Sequence, residues 1–200
     1  MAEIEATTGG TLALALPFIA AALAPILRRL MGAHAAWILA LAPALAFAIL
    51  FGFVPTVSAG GVVQFGYDWI PAFDVRFSFR IDGLASTFGL LITGIGTLII
   101  LYSGGYPTDD RHLGRFLSFM FMFMGAMLGL VVPDGFLMLF VFWELTAITS
   151  VFLVWARRSE RSYRSGMRYL VIQVGSGVIL LAGLVIHQYE TGSLAFDAIG

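Results

Sequence analysis

Cysteine and lysine are absent from this chain of 200 residues, and charged side chains of either sign are scarce. Without cysteine the chain can form no disulfide framework, no thiolate nucleophile and no cysteine-based metal or iron–sulfur site. The three histidines (His34, His112 and His187) lie far apart in sequence and near predicted helix ends. We therefore expect no metal site and no cofactor. A net charge of −1 without a basic tract gives no indication of a nucleic-acid partner.

The composition is that of a protein in a lipid bilayer. Hydrophobic residues make up 60% of the chain and charged residues 12%, whereas a soluble domain is nearer half apolar and a quarter charged. The mean hydropathy is +0.94. The acidic N-terminal flank precedes the first apolar run and Arg28 and Arg29 follow it, which is the reverse of a cleavable signal peptide. We expect the first helix to remain in the mature protein.

Six apolar runs are long enough to cross the hydrocarbon core, which takes about 20 helical residues. The predicted fold is therefore an all-α polytopic membrane protein, with residues 1–200 forming a single transmembrane module. Pro17, Pro25 and Pro43 predict kinks or local breaks in the first two spans. The predicted spans are Thr11–Leu27, Ala35–Phe53, Leu84–Tyr102, Phe116–Val132, Gly135–Trp155 and Met167–Ile186.

All eleven basic residues are arginine, and their distribution predicts the orientation. Only Arg76 and Arg80 fall on one side of the membrane. The positive-inside rule places the other side in the cytoplasm, so we predict a multi-pass protein of the cell membrane with both ends of this segment outside. The nine arginines of the cytoplasmic side are Arg28, Arg29, Arg111, Arg115, Arg157, Arg158, Arg161, Arg164 and Arg168.

The long connection between the second and third spans predicts an external β-hairpin over residues 62–81. Apolar and polar residues alternate with period two on both sides of a short turn at Ile70-Pro71-Ala72. Because a two-stranded hairpin is marginal alone, its apolar face must lie on helix ends, the membrane interface or another subunit. A second tight turn, Pro133-Asp134-Gly135, predicts antiparallel fourth and fifth spans, with Asp134 capping the fifth.

Glu144 is the only ionisable residue in the fifth span and lies near its middle. A charged side chain at that depth costs roughly 3 kcal/mol on insertion scales, so an intramembrane acid indicates a functional site. Its neighbours on the same helix face are apolar, and Thr146, Thr149 and Ser150 lie on roughly the opposite face. A partner for Glu144 must therefore come from another helix or from water.

The remaining residues offer few partners for Glu144. Span six carries Gln173 and Ser176, with Arg168 near its cytoplasmic end, and none is a convincing counter-ion at the membrane midplane. Gln173, Ser176 and Gly177 instead indicate close helix packing. Two hypotheses remain open: a proton relay whose cation lies outside these 200 residues, and a protonated Glu144 that only supports packing.

Several motifs resemble those of antiporter-like subunits. These are the large subunits of Mrp-type sodium/proton antiporters and the related proton-pumping subunits of respiratory complex I and membrane-bound hydrogenases. The stretch from Phe140 to Thr146 (FVFWELT) resembles the fifth-helix motif of that family. IDGL at Ile81–Leu84, TGIGT at Thr93–Thr97 and GAMLGL at Gly125–Leu130 agree with it. The match is closest to the N-terminal part of the A-type subunits of Mrp antiporters.

The resemblance implies a multisubunit Na⁺/H⁺ antiporter rather than an enzyme, with other subunits as partners and Glu144 in the proton path. It also implies that Glu144 pairs with a lysine on a seventh helix and that Arg168 is a second candidate site residue. One alternative is a proton-pumping component of a redox enzyme, of the complex I or hydrogenase type. Another is a structural scaffold subunit in which Glu144 is inert.

Overall fold

A computed structural model describes residues 2–70, 75–105, 113–156, 159–194 and 196. The predicted hairpin turn at residues 71–72, and Arg111, His112, Arg157 and Arg158, lie outside the described residues. The seven α-helices are α1 (Ala2–Met31), α2 (Ala35–Leu39), α3 (Leu41–Ser58), α4 (Gly83–Gly105), α5 (Leu113–Val131), α6 (Phe136–Trp155) and α7 (Glu160–Thr191). The strands are β1 (Val63–Ile70) and β2 (Val75–Ile81), and a 3₁₀ turn covers Gly32–His34.

Within the described residues, six helical stretches are long and apolar enough to cross a membrane, with α2 and α3 together forming the second. This confirms the predicted fold class of six spans with a small hairpin. The first and last spans continue further than predicted, because α1 ends at Met31 and α7 ends at Thr191. A left-handed Gly192 (φ 74°) forms the C-cap of α7, a conformation that glycine adopts without strain.

Helices α1 and α5 pack antiparallel, as two close contacts along their interface show. Phe18 of α1 meets Gly125 of α5, and Pro25 meets Gly114 further along the same pair of helices. Phe142 of α6 fills the space above Gly129 of α5. The glycines at 125 and 129 therefore let two different neighbours approach α5 closely, and α5 becomes the central helix of the bundle.

The antiparallel packing gives the bundle two chemically different ends. The hairpin lies at one end, which we call the hairpin end. The other end, which we call the arginine end, carries the described arginines of the predicted cytoplasmic side, at the C-terminus of α1 and the N-termini of α5 and α7: Arg28, Arg29, Arg115, Arg161, Arg164 and Arg168.

The prolines act differently in the first two spans. The second span breaks at Ala40, between α2 and α3, where the missing N–H of Pro43 leaves the Leu39 carbonyl without its helical partner. By contrast, α1 runs continuously past Pro17 and Pro25. One carbonyl that Pro25 would leave unpaired is Ala21 O, and the Ser118 hydroxyl of α5 donates to it at 2.5 Å. A neighbouring helix thus satisfies the freed backbone group.

The hairpin is antiparallel and rests on the helix ends, one of the three supports that the sequence allowed. Its register pairs Val63 with Ile81 and Phe65 with Phe79. These four side chains are 1–6% exposed and join the core formed by α1, α3, α4, α5 and α6. The Phe65 and Phe79 rings stack with centroids 5.2 Å apart, and Phe79 also contacts Phe142 of α6 at 6.1 Å. The hairpin is therefore anchored by aromatic packing.

The turn between α5 and α6 extends the hairpin rather than capping a helix with Asp134. The Arg80 N–H donates to Val132 O (2.7 Å) and the Asp134 N–H donates to Ser78 O (3.0 Å). The N-cap of α6 is Gly135, a residue without a side chain, and not Asp134. The predicted Asp134 cap is therefore wrong, because backbone pairing with β2 fixes the Asp134 main chain in a short third strand-like segment.

Helix α7 is the least enclosed span in the described part of the chain. In the 18-residue stretch of α7 that was compared, only 11% is buried inside the protein, against 28–44% in the corresponding stretches of the other five spans. It packs on α6 along one face through Gly166, Gly177 and Leu184. The remaining faces carry large exposed apolar residues such as Ile172 and Ile179, so they are available to lipid or to further protein.

Candidate functional site

Glu144 lies near the centre of α6 and its side chain rests on α7. A Cβ atom at Gly177 would lie 2.2 Å from Glu144 Oε1, 2.8 Å from Cδ and 3.1 Å from Oε2. Real Cβ contacts essentially never come below 3.0 Å, so only glycine leaves room for the carboxyl group in this position. The structure therefore pairs the intramembrane acid of α6 with one particular glycine of α7.

The hydroxyl groups near Glu144 are committed to the backbone. Thr149 donates to Leu145 O at 2.8 Å, and Ser150 donates to Thr146 O at 2.7 Å. On α7, the Ser176 hydroxyl donates to Gln173 O at 2.8 Å. Ser176, which the sequence offered as one of few polar neighbours, therefore directs its proton to its own helix and not to the carboxyl group.

Glu144 Oε1 is a buried atom without a hydrogen-bond partner among the described residues. A buried polar atom left unsatisfied costs about 1–3 kcal/mol, more for a charged group. Native structures have few such atoms, and each calls for a physical explanation. The explanation here must supply either a proton on the carboxyl group or a donor that approaches Oε1.

Neither Arg168 nor His187 of α7 reaches Glu144. Arg168 is exposed and precedes Gly177 by nine residues, or roughly 13 Å along a helix at 1.5 Å per residue. His187 follows Gly177 by ten residues, or roughly 15 Å, and its ring packs edge-on against Phe136 at 5.1 Å. The structure thus brings Glu144 to Gly177 and leaves Arg168 at the arginine end.

The carboxyl group lies at the edge of the α6–α7 contact, not at its centre. Val141 and Ile148 share the face of Glu144 on α6 and remain 39% and 45% exposed. A further helix or a file of water molecules can therefore approach Glu144 from this open side. Within the described residues no group of three metal-ligating side chains lies together.

Sequence reasoning missed the specific role of Gly177. A helical wheel of α6 identifies which residues share the face of Glu144, but it does not show which residue of α7 lies opposite. Gly175 and Gly183 are also in α7, and a Cβ atom at either would meet nothing within 4 Å. The sequence therefore shows several glycines of α7 that could lie opposite Glu144. Only the packing of α6 on α7 shows that Gly177 is the one that does.

Two family models match the chain. One, described as NADH-Ubiquinone oxidoreductase (complex I), chain 5 N-terminus, matches residues 69–117. The other, described as NADH:quinone oxidoreductase/Mrp antiporter, TM, matches residues 133–200, which include α6, α7 and Glu144. Together the two matches cover more than half of the chain.

Similar proteins belong to the same group. The A1 subunit of the Na(+)/H(+) antiporter of Staphylococcus aureus is 36% identical over 189 residues, which are 93% of this chain and 24% of that protein. A chain of the Mrp complex from Dietzia sp. DQ12-45-1b superposes with a TM-score of 0.83 at 33% identity, over 94% of this chain and 20% of that chain.

A third comparison shares the fold alone. A chain of respiratory complex I from Thermus thermophilus superposes with a TM-score of 0.78 at 23% identity, over 94% of this chain and 38% of that chain. This chain spans about a quarter of the length of the curated relatives that it matches. It belongs to the family of antiporter-like membrane subunits shared by Mrp antiporters and NADH:quinone oxidoreductase, as the sequence motifs predicted.

Proposed function

We propose that this chain forms part of a multisubunit Na⁺/H⁺ antiporter and that Glu144 carries protons within it. The observation on which this rests is the buried, unpartnered Oε1 atom of Glu144 in the middle of a membrane span. The similarity to Mrp-type antiporter proteins at 33–36% identity supports the antiporter assignment. Other subunits, the bilayer, Na⁺ and H⁺ are the proposed partners.

The physical basis of the proposal is the unequal cost of the two protonation states. A protonated carboxyl group carries no charge and is tolerated among apolar side chains, whereas the ionised form needs a cation or water nearby. The open side of Glu144, between Val141 and Ile148, gives such a cation access. Approach of the cation then releases the proton, and its withdrawal returns the proton to Glu144. The cation would come from protein outside the described residues.

The decisive experiment measures sodium-dependent proton transport in membrane vesicles that contain the whole assembled complex. Wild type is compared with Glu144→Asp, Glu144→Gln and Glu144→Ala, each checked for assembly. We expect Gln and Ala to abolish transport because neither can bind and release a proton. Asp should retain part of it, because its shorter side chain keeps the carboxyl group but withdraws it from Gly177.

A matched control uses another glutamate of the same chain. Glu190 lies exposed near the hairpin end of α7, so Glu190→Gln removes a carboxyl group without touching the site and should transport like wild type. If Glu144→Gln also transports like wild type in a fully assembled complex, titration of Glu144 is irrelevant. The residue then has only a packing role.

A second candidate function is proton pumping in a redox enzyme, favoured by the family models, whose descriptions name NADH:quinone oxidoreductase. This function requires hydrophilic partner subunits that carry flavin or iron–sulfur clusters. Purification of the intact complex followed by flavin and iron analysis separates the two. An antiporter complex contains neither group, whereas a redox complex contains iron–sulfur clusters, flavin or both in fixed ratio to this chain.

A further inference from the structure

A cavity of about 470 Å³ opens at the hairpin end of the bundle, and Glu144 is not among its lining residues. Helices α4, α5 and α6 all contribute lining residues, among them Met127 and Leu139. Arg80 of β2 and Asp82, which follows the strand, are the two charged residues in an otherwise apolar lining. Nothing in the proposed transport function uses this cavity.

Arg80 is held in place by its backbone, and one nitrogen of its side chain has no hydrogen-bond partner among the described residues. Its N–H donates to Val132 O at 2.7 Å, so the residue is fixed beside the cavity. Its Nε atom is buried and has no hydrogen-bond partner among the described residues. Because a guanidinium group is always ionised and only donates, this atom requires an acceptor, and the best matches are phosphate and carboxylate oxygens.

Asp82 places a negative charge close to that positive charge. Arg80 lies in β2, Asp82 directly follows the strand, and both residues line the cavity. One carboxylate oxygen of Asp82, Oδ1, accepts the Ala85 N–H at 2.9 Å and caps α4. The cavity lining therefore presents one cation and one anion among apolar side chains.

An exposed apolar ridge leads away from these two charges. Leu84 and Phe88 line the cavity and lie one turn apart on α4, at 69% and 45% exposure. Leu91 and Ile95 continue the exposed apolar surface further along α4, at 54% and 49% exposure. The charged residues lie at the end of the span, and the exposed apolar residues of α4 lead towards its middle. This arrangement fits an amphiphilic ligand whose polar headgroup lies in the cavity and whose apolar chain lies along α4.

We infer that this cavity binds a phospholipid whose headgroup carries both a phosphate and a primary ammonium, as in phosphatidylethanolamine. The phosphate accepts the buried Nε–H of Arg80, and the ammonium donates to Asp82. The acyl chain lies against Leu84 and Phe88. The paired charges favour this lipid over a purely anionic one, because an Asp82 carboxylate without an ammonium partner would repel a second negative group.

The test uses the complete membrane complex with a photoreactive phenylalanine analogue in place of Phe88. The complex is exposed in turn to labelled phosphatidylethanolamine and phosphatidylglycerol. We expect cross-linking to phosphatidylethanolamine in preference, and a roughly tenfold lower yield in Arg80→Gln, which removes a charge-assisted hydrogen bond. Arg161→Gln, at the arginine end, should leave the yield unchanged. The analogue in place of Phe51, 60% exposed on α3, should show no headgroup preference.

Asp82→Asn tests the second half of the headgroup. Asparagine caps a helix about as well as aspartate, so the fold is kept while the charge is removed, and the preference should turn towards phosphatidylglycerol. Three results overturn the inference: cross-linking to protein instead of lipid, equal lipid yields in wild type and Arg80→Gln, or displacement of the lipid by inorganic phosphate. The first means that other protein covers the cavity, and the last that it is a site for free phosphate.

Discussion

Replacing Gly177 by alanine places a methyl carbon where the carboxyl group of Glu144 now rests. The new Cβ atom would lie 2.2 Å from Oε1, so this oxygen must retreat by about 1 Å or more to reach an ordinary contact distance. The obstructing atoms are the far end of a flexible side chain, not backbone. The helices can therefore keep their packing while Glu144 alone is displaced.

The expected effect is large on transport and small on stability. A misplacement of about 1 Å can lower the rate of a step that depends on geometry by roughly 100-fold. Displacing the carboxyl group into a poorer rotamer costs only about 1 kcal/mol, and alanine is better than glycine in a helix by a similar amount. We therefore expect Gly177→Ala to assemble normally and to transport roughly 10- to 100-fold more slowly.

The assay compares Gly177→Ala with Gly175→Ala in vesicles that contain equal amounts of assembled complex. Gly175 is two residues away on the same helix, and a Cβ atom there meets nothing within 4 Å. Gly175→Ala should therefore transport within about twofold of wild type, as a substitution away from any special feature does. Equal transport by the two variants would refute the placement of the Glu144 carboxyl group against α7.

Three further predictions concern the bundle and its orientation. Ser118→Ala leaves the Ala21 carbonyl unpaired and should destabilise the complex by about 1–3 kcal/mol. Ser150→Ala loses only a hydrogen bond within its own helix and should cost less. Thermal unfolding of the complex measures both. Phe79→Ala removes the ring that joins the hairpin to α6 and should cost about 3–5 kcal/mol by the same measurement, and a cost near zero would mean that the hairpin is not docked. Because the chain has no cysteine, an impermeant maleimide should label Gln64→Cys from outside intact cells and Arg161→Cys only after permeabilisation; the reverse pattern would invert the proposed topology.

The helices and the hairpin could be predicted from the sequence because each has its own local signal. Apolar runs of about 20 residues specify spans, and the alternation from Val63 to Ile81 specifies strands. The break at Ala40 also follows from a local cause, since Pro43 removes a donor three residues later. By contrast, α1 passes Pro25 without a break because Ser118 of a distant helix satisfies Ala21, and no local pattern contains that contact.

The candidate site was predictable only in part, because some of its contacts join helices that are distant in sequence. An acid in the middle of an apolar run identifies Glu144, but its neighbour depends on the register between α6 and α7. The Asp134 cap was predicted from a turn sequence, whereas pairing of that turn with β2 decides the outcome. Likewise, the alternation in the sequence identifies Arg80 and Asp82 only as polar residues of the hairpin segment, and the packing of α4, α5 and α6 forms the cavity beside them.

The central claim is that the carboxyl group of Glu144 gains and loses a proton, and infrared difference spectroscopy of the complex tests it most directly. Spectra are recorded at high and low pH, with and without Na⁺, for wild type and Glu144→Gln. The account predicts a band of a protonated carboxyl group that changes with pH and Na⁺ in wild type and is missing in Glu144→Gln. A band from Glu144 that stays constant under all four conditions would contradict the account and identify a permanently protonated packing residue.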